Sequence, residues 1–285
     1  MSARNNEERT GAAGSTTPPL DQLVSDQKET TPFEFTTPTE FVDLPSKGKF
    51  YTEKHPLHGK DSLEIRYMTA KDEDILTSKS LLKKGLAIDR LLQNIIVDKS
   101  IKINELLVGD KNALVVAARV TGYGNEYNTK VSCPACAMTQ EYNFDLDDHT
   151  LSQGGEFDNA VATGNDTWQI TCPKSTAVVE IGLLTGKEEK LLLQQHQKRK
   201  QRKLPESSAT DQLKFLIKSV NGADDPTSIN KFINAMPATD ARYVRKAYEK
   251  LMPNIDLSQA FECEECGFDM EMEVPFTTDF FWPKQ

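Results

Sequence analysis

No apolar run among these 285 residues approaches the roughly 18–20 that a membrane helix needs. The N-terminal stretch MSARNNEERTGAAGSTTPP has no apolar core and so cannot act as a signal peptide. The chain is therefore expected to stay in the cytoplasm where it is made. A surplus of positive charge is also missing. Lys and Arg number 34 against 43 Asp and Glu, a formal net charge of -9. That weakens any reading as a general nucleic-acid binder, because phosphate contacts need a basic face. The one local exception is HQKRKQRK, residues 196–203, a candidate basic patch or the solvated end of a helix running into a loop. Cysteine is scarce: five residues, an odd number with no export signal, which argues against a disulfide framework.

Catalytic signatures are missing too. There is no Walker loop, GxGxxG, GxSxG or kinase motif. GYGNEYN has glycines but follows a helix, the wrong place for a phosphate-cradling loop. His55, His58, His149 and His196 form no HExxH or HxH pattern; His55 and His58 flank a Pro-containing loop and would need another ligand to hold a metal. The carboxylates cluster at helix starts, where capping and the helix dipole account for them. Asp72 and Glu73 could be offered as an acid/base pair, but Glu188 and Glu189 stand at the equivalent place further on, so a structural role is more economical. No catalytic constellation is found, and the chain is not expected to be an enzyme.

What is present is a soluble α+β pattern, 38% hydrophobic and 27% charged with mean hydropathy -0.53, long enough for one large or two small cores. Residues 1–38, rich in Ser, Thr, Pro, Glu and Gly, read as a disordered arm. Order is expected from EFVDLPSKGKFY (40–51), a short strand meeting a Pro/Gly turn. SLEIRYM (62–68) alternates like a strand and TAKDEDIL starts a Thr69-capped helix with acidic residues in its first turn. GLAIDRLLQNIIVD (85–98) has its apolar residues at helical spacing. INELL is a short helical piece, and KNALVVAARVTGYG reads as a helix capped by Asp110 and stopped by Gly122 and Gly124.

The second half repeats this plan. VEIGLLTGKEEKLL (179–192) aligns without a gap on LEIRYMTAKDEDIL (63–76), with identities at Glu64/Glu180, Ile65/Ile181, Thr69/Thr185, Lys71/Lys187, Glu73/Glu189 and Leu76/Leu192. TDQLKFLIKSV mirrors IDRLLQNIIVD, SINKFINAM mirrors KINELLVGD, and TDARYVRKAYEKL mirrors the helix at Asp110. Each copy ends in a strand and a CxxC pair. We therefore expect a duplicated strand–helical block–strand unit: the arm over 1–38, one repeat over 39–150 and a second over 151–285.

Cys133 and Cys136 sit between the strand-like EYNTKVS and TQEYNFDL; Cys263 and Cys266 sit between LSQAFE and DMEMEVPF. Two repeats side by side would bring the four thiolates together as one structural zinc site, a ribbon split by an insertion of roughly 125 residues. A thioredoxin-type pair would instead sit where a strand enters a helix, and two unrelated metal-free pairs are the other alternative. A four-thiolate site leaves no position for catalytic water, so the zinc would stabilise the fold. Cys172, in WQITCPKST, reads as a small buried apolar residue in a strand-like segment rather than a ligand.

The segments LPSKGKFY, MTAKDEDIL and GDKNALVVAARVTGYG with the first CPAC resemble the baseplate hub family of T-even-type contractile bacteriophages, more narrowly the hub assembly proteins of their marine relatives. The resemblance covers residues 40–145 well, the second repeat in outline, and residues 1–38 not at all. It implies a non-enzymatic role in building the hub, in the host cytoplasm and with or without a place in the finished virion, with other hub proteins as partners. The arm could order itself on a partner. The tail VPFTTDFFWPKQ (274–285), with Phe276, Phe280, Phe281 and Trp282, suits either an interface hot spot or closure of the chain's own core. The alternative is a zinc-ribbon nucleic-acid-binding accessory factor. Against it, the second knuckle carries Glu264 and Glu265, followed by Asp269, Glu271 and Glu273, which would repel phosphate.

Overall fold

A computed structural model of the chain describes residues 36–164, 166–202, 208–276 and 280–281; the expected arm lies almost wholly outside these residues. Order begins with an antiparallel hairpin of β1 (Thr39–Asp43) and β2 (Ser62–Arg66). Alternation in β2 turns Leu63 and Ile65 inward. Thr69 then caps α1 (Ala70–Thr77): Asp72 Oδ2 accepts from the Thr69 N–H at 2.9 Å and its hydroxyl at 2.8 Å. The carboxylate also accepts from both terminal nitrogens of the Arg66 guanidinium, at 2.7 and 2.9 Å, and from the Asn94 amide at 2.6 Å. These bonds give Asp72 a structural role at the start of α1. α2 (Lys79–Lys84) stops at Gly85, whose φ of +64° suits a residue without a Cβ. α3 (Ala87–Ile95) buries Ala87, Leu91, Leu92 and Ile95 on one stripe.

A 3-10 turn at Ile103–Glu105 leads to α4 (Val108–Tyr123). Its N-cap is Leu107, not Asp110 as the sequence suggested. Asp110 lies inside the first turn, fully buried, and takes donors from far away: the Ser46 N–H (2.9 Å), the Ser46 hydroxyl (2.6 Å) and the Tyr51 hydroxyl (2.7 Å). Aspartate before a helical run is the usual capping signal, but here those donors, 59 and 64 residues away, win it. The helix is followed by the hairpin β3 (Glu126–Ser132) and β4 (Thr139–Asp145), and by β5 (Thr150–Ser152).

β6 (Val161–Ala162), β7 (Thr167–Thr171) and β8 (Val178–Gly182) open a second sheet. Thr185 caps α5 (Gly186–Gln201) through the same kind of box, now with Glu188. α6 (Ser208–Leu216) runs directly into β9 (Ile217–Val220), which completes an antiparallel sheet in the order β6-β7-β8-β9. The helix expected over TDQLKFLIKSV thus ends at Leu216; Ile217 and Val220 are buried and β-branched, and pairing with β8 overrides helical spacing. α7 (Pro226–Ala235) and α8 (Ala238–Leu251) follow, then β10 (Asn254–Asp256), which pairs with β5, and the hairpin β11 (Ser258–Glu262) and β12 (Asp269–Glu273).

Two apolar cores result. The first gathers residues between Val42 and Leu146 together with Ile255, Leu257, Phe261, Val274, Phe280 and Phe281. The second lies between Ile170 and Leu251. The chain therefore leaves the first core, builds the second, and returns through β10. Between them the fit is close: a Cβ on Gly109 would stand 1.8 Å from the Pro253 carbonyl oxygen, and one on Gly186 would stand 2.7 Å from that of Ile103. Backbone bonds Val108 N–H to Leu184 O (3.0 Å) and Gly186 N–H to Leu106 O (2.8 Å) join the α4 and α5 starts.

Asp240, three residues into α8 as Asp110 is into α4, is also fully buried. It accepts the Lys174 and Ser175 N–H groups, at 2.9 and 2.8 Å, from the Pro-containing turn between β7 and β8. Asp110 grips the Pro-containing turn after β1 in the same manner.

Candidate metal centre

In each CxxC hairpin the backbone makes the same tight knuckle. Cys133 N–H donates to Met138 O at 2.8 Å and Ala137 N–H to Cys133 O at 2.9 Å; Cys263 N–H donates to Phe268 O and Gly267 N–H to Cys263 O, both at 2.9 Å. The reversal needs a left-handed residue after the second cysteine, supplied by Gly267 (φ +66°) and, at greater steric cost, Ala137 (φ +60°). The fold sets the two knuckles tip to tip. Tyr142 Oη donates to Ala260 O at 2.7 Å, Gln140 Nε2 to Glu262 O at 3.0 Å, and the Glu264 N–H to Gln140 Oε1 at 3.1 Å, so side chains lace the hairpins together. Beneath them Tyr142 and Phe261 pack with ring centroids 5.3 Å apart.

All four sulfurs lie within 4.8 Å of one another. Cys133 Sγ is 3.8 Å from Cys266 Sγ, and Cys136 Sγ is 3.7 Å from Cys263 Sγ. A disulfide would require about 2.05 Å. A regular tetrahedron with metal–sulfur bonds of about 2.3 Å has edges of about 3.8 Å. The donor set therefore fits one tetrahedral, thiophilic ion. The first cysteine of each pair is buried and the second exposed, so the centre has an inner, core-facing edge and an outer one.

The protons tell the same story. N–H groups of Cys136 and Ala135 aimed at the Cys133 sulfur favour its thiolate and bring it down to about 7. The Phe268 N–H likewise favours the Cys266 thiolate, but burial and the hydrogen bonds with Cys136, Cys263 and Cys133 push its proton up to about 12. Four thiols this close cannot all ionise unaided. A divalent cation would supply the missing charge.

Cys172 stands apart, buried, at the first position of a turn rather than within a strand. That turn has the knuckle's backbone: Cys172 N–H to Ala177 O at 2.9 Å, Thr176 N–H to Cys172 O at 3.1 Å, and Thr176 at φ +55°. Ser175 occupies the second-cysteine place, and the N–H groups that face sulfur in the first CxxC knuckle are taken here by Asp240. Burial, with Asp240 adding to it, pushes the Cys172 thiol up to about 11, which keeps it neutral.

The remaining candidates resolve as structural. His58 Nδ1 lies 2.6 Å from Tyr51 O, and His55 stacks on Tyr51 and faces Glu105 at 3.8 Å; neither meets a metal-ligand partner among the described residues. In the tail, Phe280 and Phe281 close the first core while Phe276 is half exposed; Trp282 is outside the described residues. The basic run continues α5 to Gln201, and Lys203 lies outside the described residues. One group escaped sequence reasoning. Lys111 is buried between Asp89 and Glu189, 2.6 Å from each, beside a cleft of about 500 Å³. Burial alone would lower its pKa, but the two carboxylates outweigh this and raise it. An ammonium so held is a clamp between α3, α4 and α5, not a free base.

Fold and centre together define a mixed α+β protein with no helix among the described residues long and apolar enough to cross a membrane, organised around a four-cysteine cluster. It belongs to the T4 bacteriophage base plate protein family, whose pattern matches residues 37–282. No curated protein and no solved structure is significantly similar to it. As a baseplate protein it associates with other phage baseplate proteins and its place is the virion.

Proposed function

We propose that the chain is a baseplate hub protein acting in hub assembly, made in the host cytoplasm and working by binding other hub proteins rather than by catalysis. Membership of the baseplate family over 37–282 carries this reading; the segments LPSKG, MTAKDEDIL and GDKNALVVAARVTGYG narrow it to the hub. The cleft beside Lys111 has its buried ammonium neutralised, and a tetrahedral four-thiolate centre leaves no coordination position open to substrate. The ion is zinc, held by Cys133, Cys136, Cys263 and Cys266, and its binding free energy serves folding. The two halves are copies of one unit, each a hairpin whose turn is gripped by a buried aspartate (Asp110, Asp240) and whose second strand enters a capped helix (Thr69, Thr185). The nucleic-acid alternative has the acidic second knuckle against it.

Affinity capture of the tagged chain from infected cells, with mass spectrometry of purified particles, tests the role. Co-purification of hub proteins is expected. Capture of transcription proteins or salt-sensitive nucleic acid, with no baseplate component, would overturn it.

A further inference from the structure

Charge is segregated on this molecule. Residues 126–149 and 256–273, which carry the two metal hairpins, hold twelve carboxylates and one lysine, a net of -11 against -9 for the whole chain. All twelve are exposed. None of them forms an ion pair among the described residues. Within the hairpins, like charges even face each other across the strands: Glu126 opposite Asp145, and Glu262 opposite Asp269. Such pairs destabilise a ladder, and a bound four-thiolate zinc, formally 2−, adds to the field. An isolated hairpin gains nothing from this arrangement. A basic surface docked on it would turn the cost into attraction.

The chain carries such a surface on its other core. Lys198, Arg199, Arg202 and Lys214 converge on a cleft of about 440 Å³ between α5 and α6. Asp211, buried beneath, is held by Arg199 at 3.4 Å and Lys214 at 2.9 Å, while Lys198 and Arg202 are exposed with no carboxylate partner among the described residues. Acidic hairpins and basic cleft belong to different cores and exchange no ion pair among the described residues.

We propose that the acidic hairpin pair of one copy docks in the Lys198–Arg202–Lys214 cleft of a second copy. The contact is head-to-tail, because the two surfaces differ, and each copy keeps one free end; such contacts propagate to rings or short filaments. Phosphate binding to the same cleft is the competing use, but the formal net charge of -9 disfavours a polyanion as the partner.

Sedimentation velocity of the purified, metal-loaded chain tests this. The wild type is expected to self-associate at low salt, with the apparent Kd rising at least about tenfold between about 50 and 500 mM NaCl as the charges are screened. The hairpin variant Asp269→Lys/Glu271→Lys/Glu273→Lys and the cleft variant Lys198→Glu/Arg202→Glu should each be monomeric. Neither set touches a cysteine or the groups neutralising Asp211, and metal content and thermal unfolding check each fold. An equimolar mixture of the two variants should regain a complex, since each retains the surface the other has lost. A wild type that stays monomeric at low salt overturns the proposal. So does association that survives either set of substitutions, a mixture that fails to associate, or a wild type that binds nucleic acid through the cleft in place of itself.

Discussion

At Cys263 a buried sulfur completes the inner edge of the four-thiolate cluster, so Cys263→Ser removes a ligand and leaves three thiols crowded without their cation. Elemental analysis should fall from about one zinc per chain to well below that, with a loss of at least several kcal/mol in chemical unfolding. Asp72 makes a second residue-scale case. Burial would raise its carboxyl, but Arg66, Thr69 and Asn94 overcome this and hold it far below the usual carboxylate range. Because the folded pKa is the depressed one, the stabilisation is fully present above the unfolded value of about 4 and is lost as pH falls below it. Asp72→Asn should cost about 2–3 kcal/mol at pH 7, and less as the comparison is made at lower pH, where the wild type loses the same interaction. Both residues were legible in the sequence for the same reason: Thr-x-x-Asp and Cys-x-x-Cys are local patterns recognisable within four residues, although Asn94 and the partner cysteine pair lie much further along the chain. Asp110 looked equally local and was not, because its donors Ser46 and Tyr51 lie more than fifty residues upstream.

Elements are held less by their own propensity than by grips of this kind. Asp240 fixes the turn between β7 and β8 through two backbone N–H groups, and Asp240→Ala would leave both without their acceptor, at a cost of about 2–3 kcal/mol. Circular dichroism should show the sheet β6-β7-β8-β9 melting at a lower temperature. The variant should keep its metal, since the cysteine cluster draws on the other core. Strands and helices were read correctly wherever periodicity ran long, as in α3 and the metal hairpins. β9 was not legible, since its four residues continue a helical pattern yet pair with β8. Sequence spacing cannot signal a vacant sheet edge that forms only when the chain folds back. The likeness of the turns at Ser46 and Ser175 was equally hidden, for LPSKG and CPKST share little beyond a proline.

At the scale of the whole molecule the described residues form two cores, one of which carries the four-cysteine cluster. Chelation should therefore act unevenly. Amide hydrogen exchange after zinc removal is expected to rise in residues 126–146 and 255–274 while residues 170–250 keep their protection, which mass spectrometry of proteolytic peptides can read directly. Uniform deprotection would mean that the cores unfold as one. At the seam, Gly109→Ala would force the α4 start off the Pro253 carbonyl and should cost more than about 2 kcal/mol. This seam was not visible in the sequence. Repeats suggested a division near residue 150, but the apolar residues from Ile255 to Phe281 pack into the first core, and generic hydrophobic side chains carry no address that would have said so.

That return of the chain has a bearing on synthesis. While a ribosome is still translating, the core built from Val42 to Leu146 lacks its last wall, and the first cysteine pair waits for ligands more than a hundred codons away. The second core, by contrast, is encoded in one stretch and can set first. Chains truncated near residue 252 and released from the ribosome should then resist protease from about residue 160 onward and be digested before it, with metal captured only when the final hairpin is present.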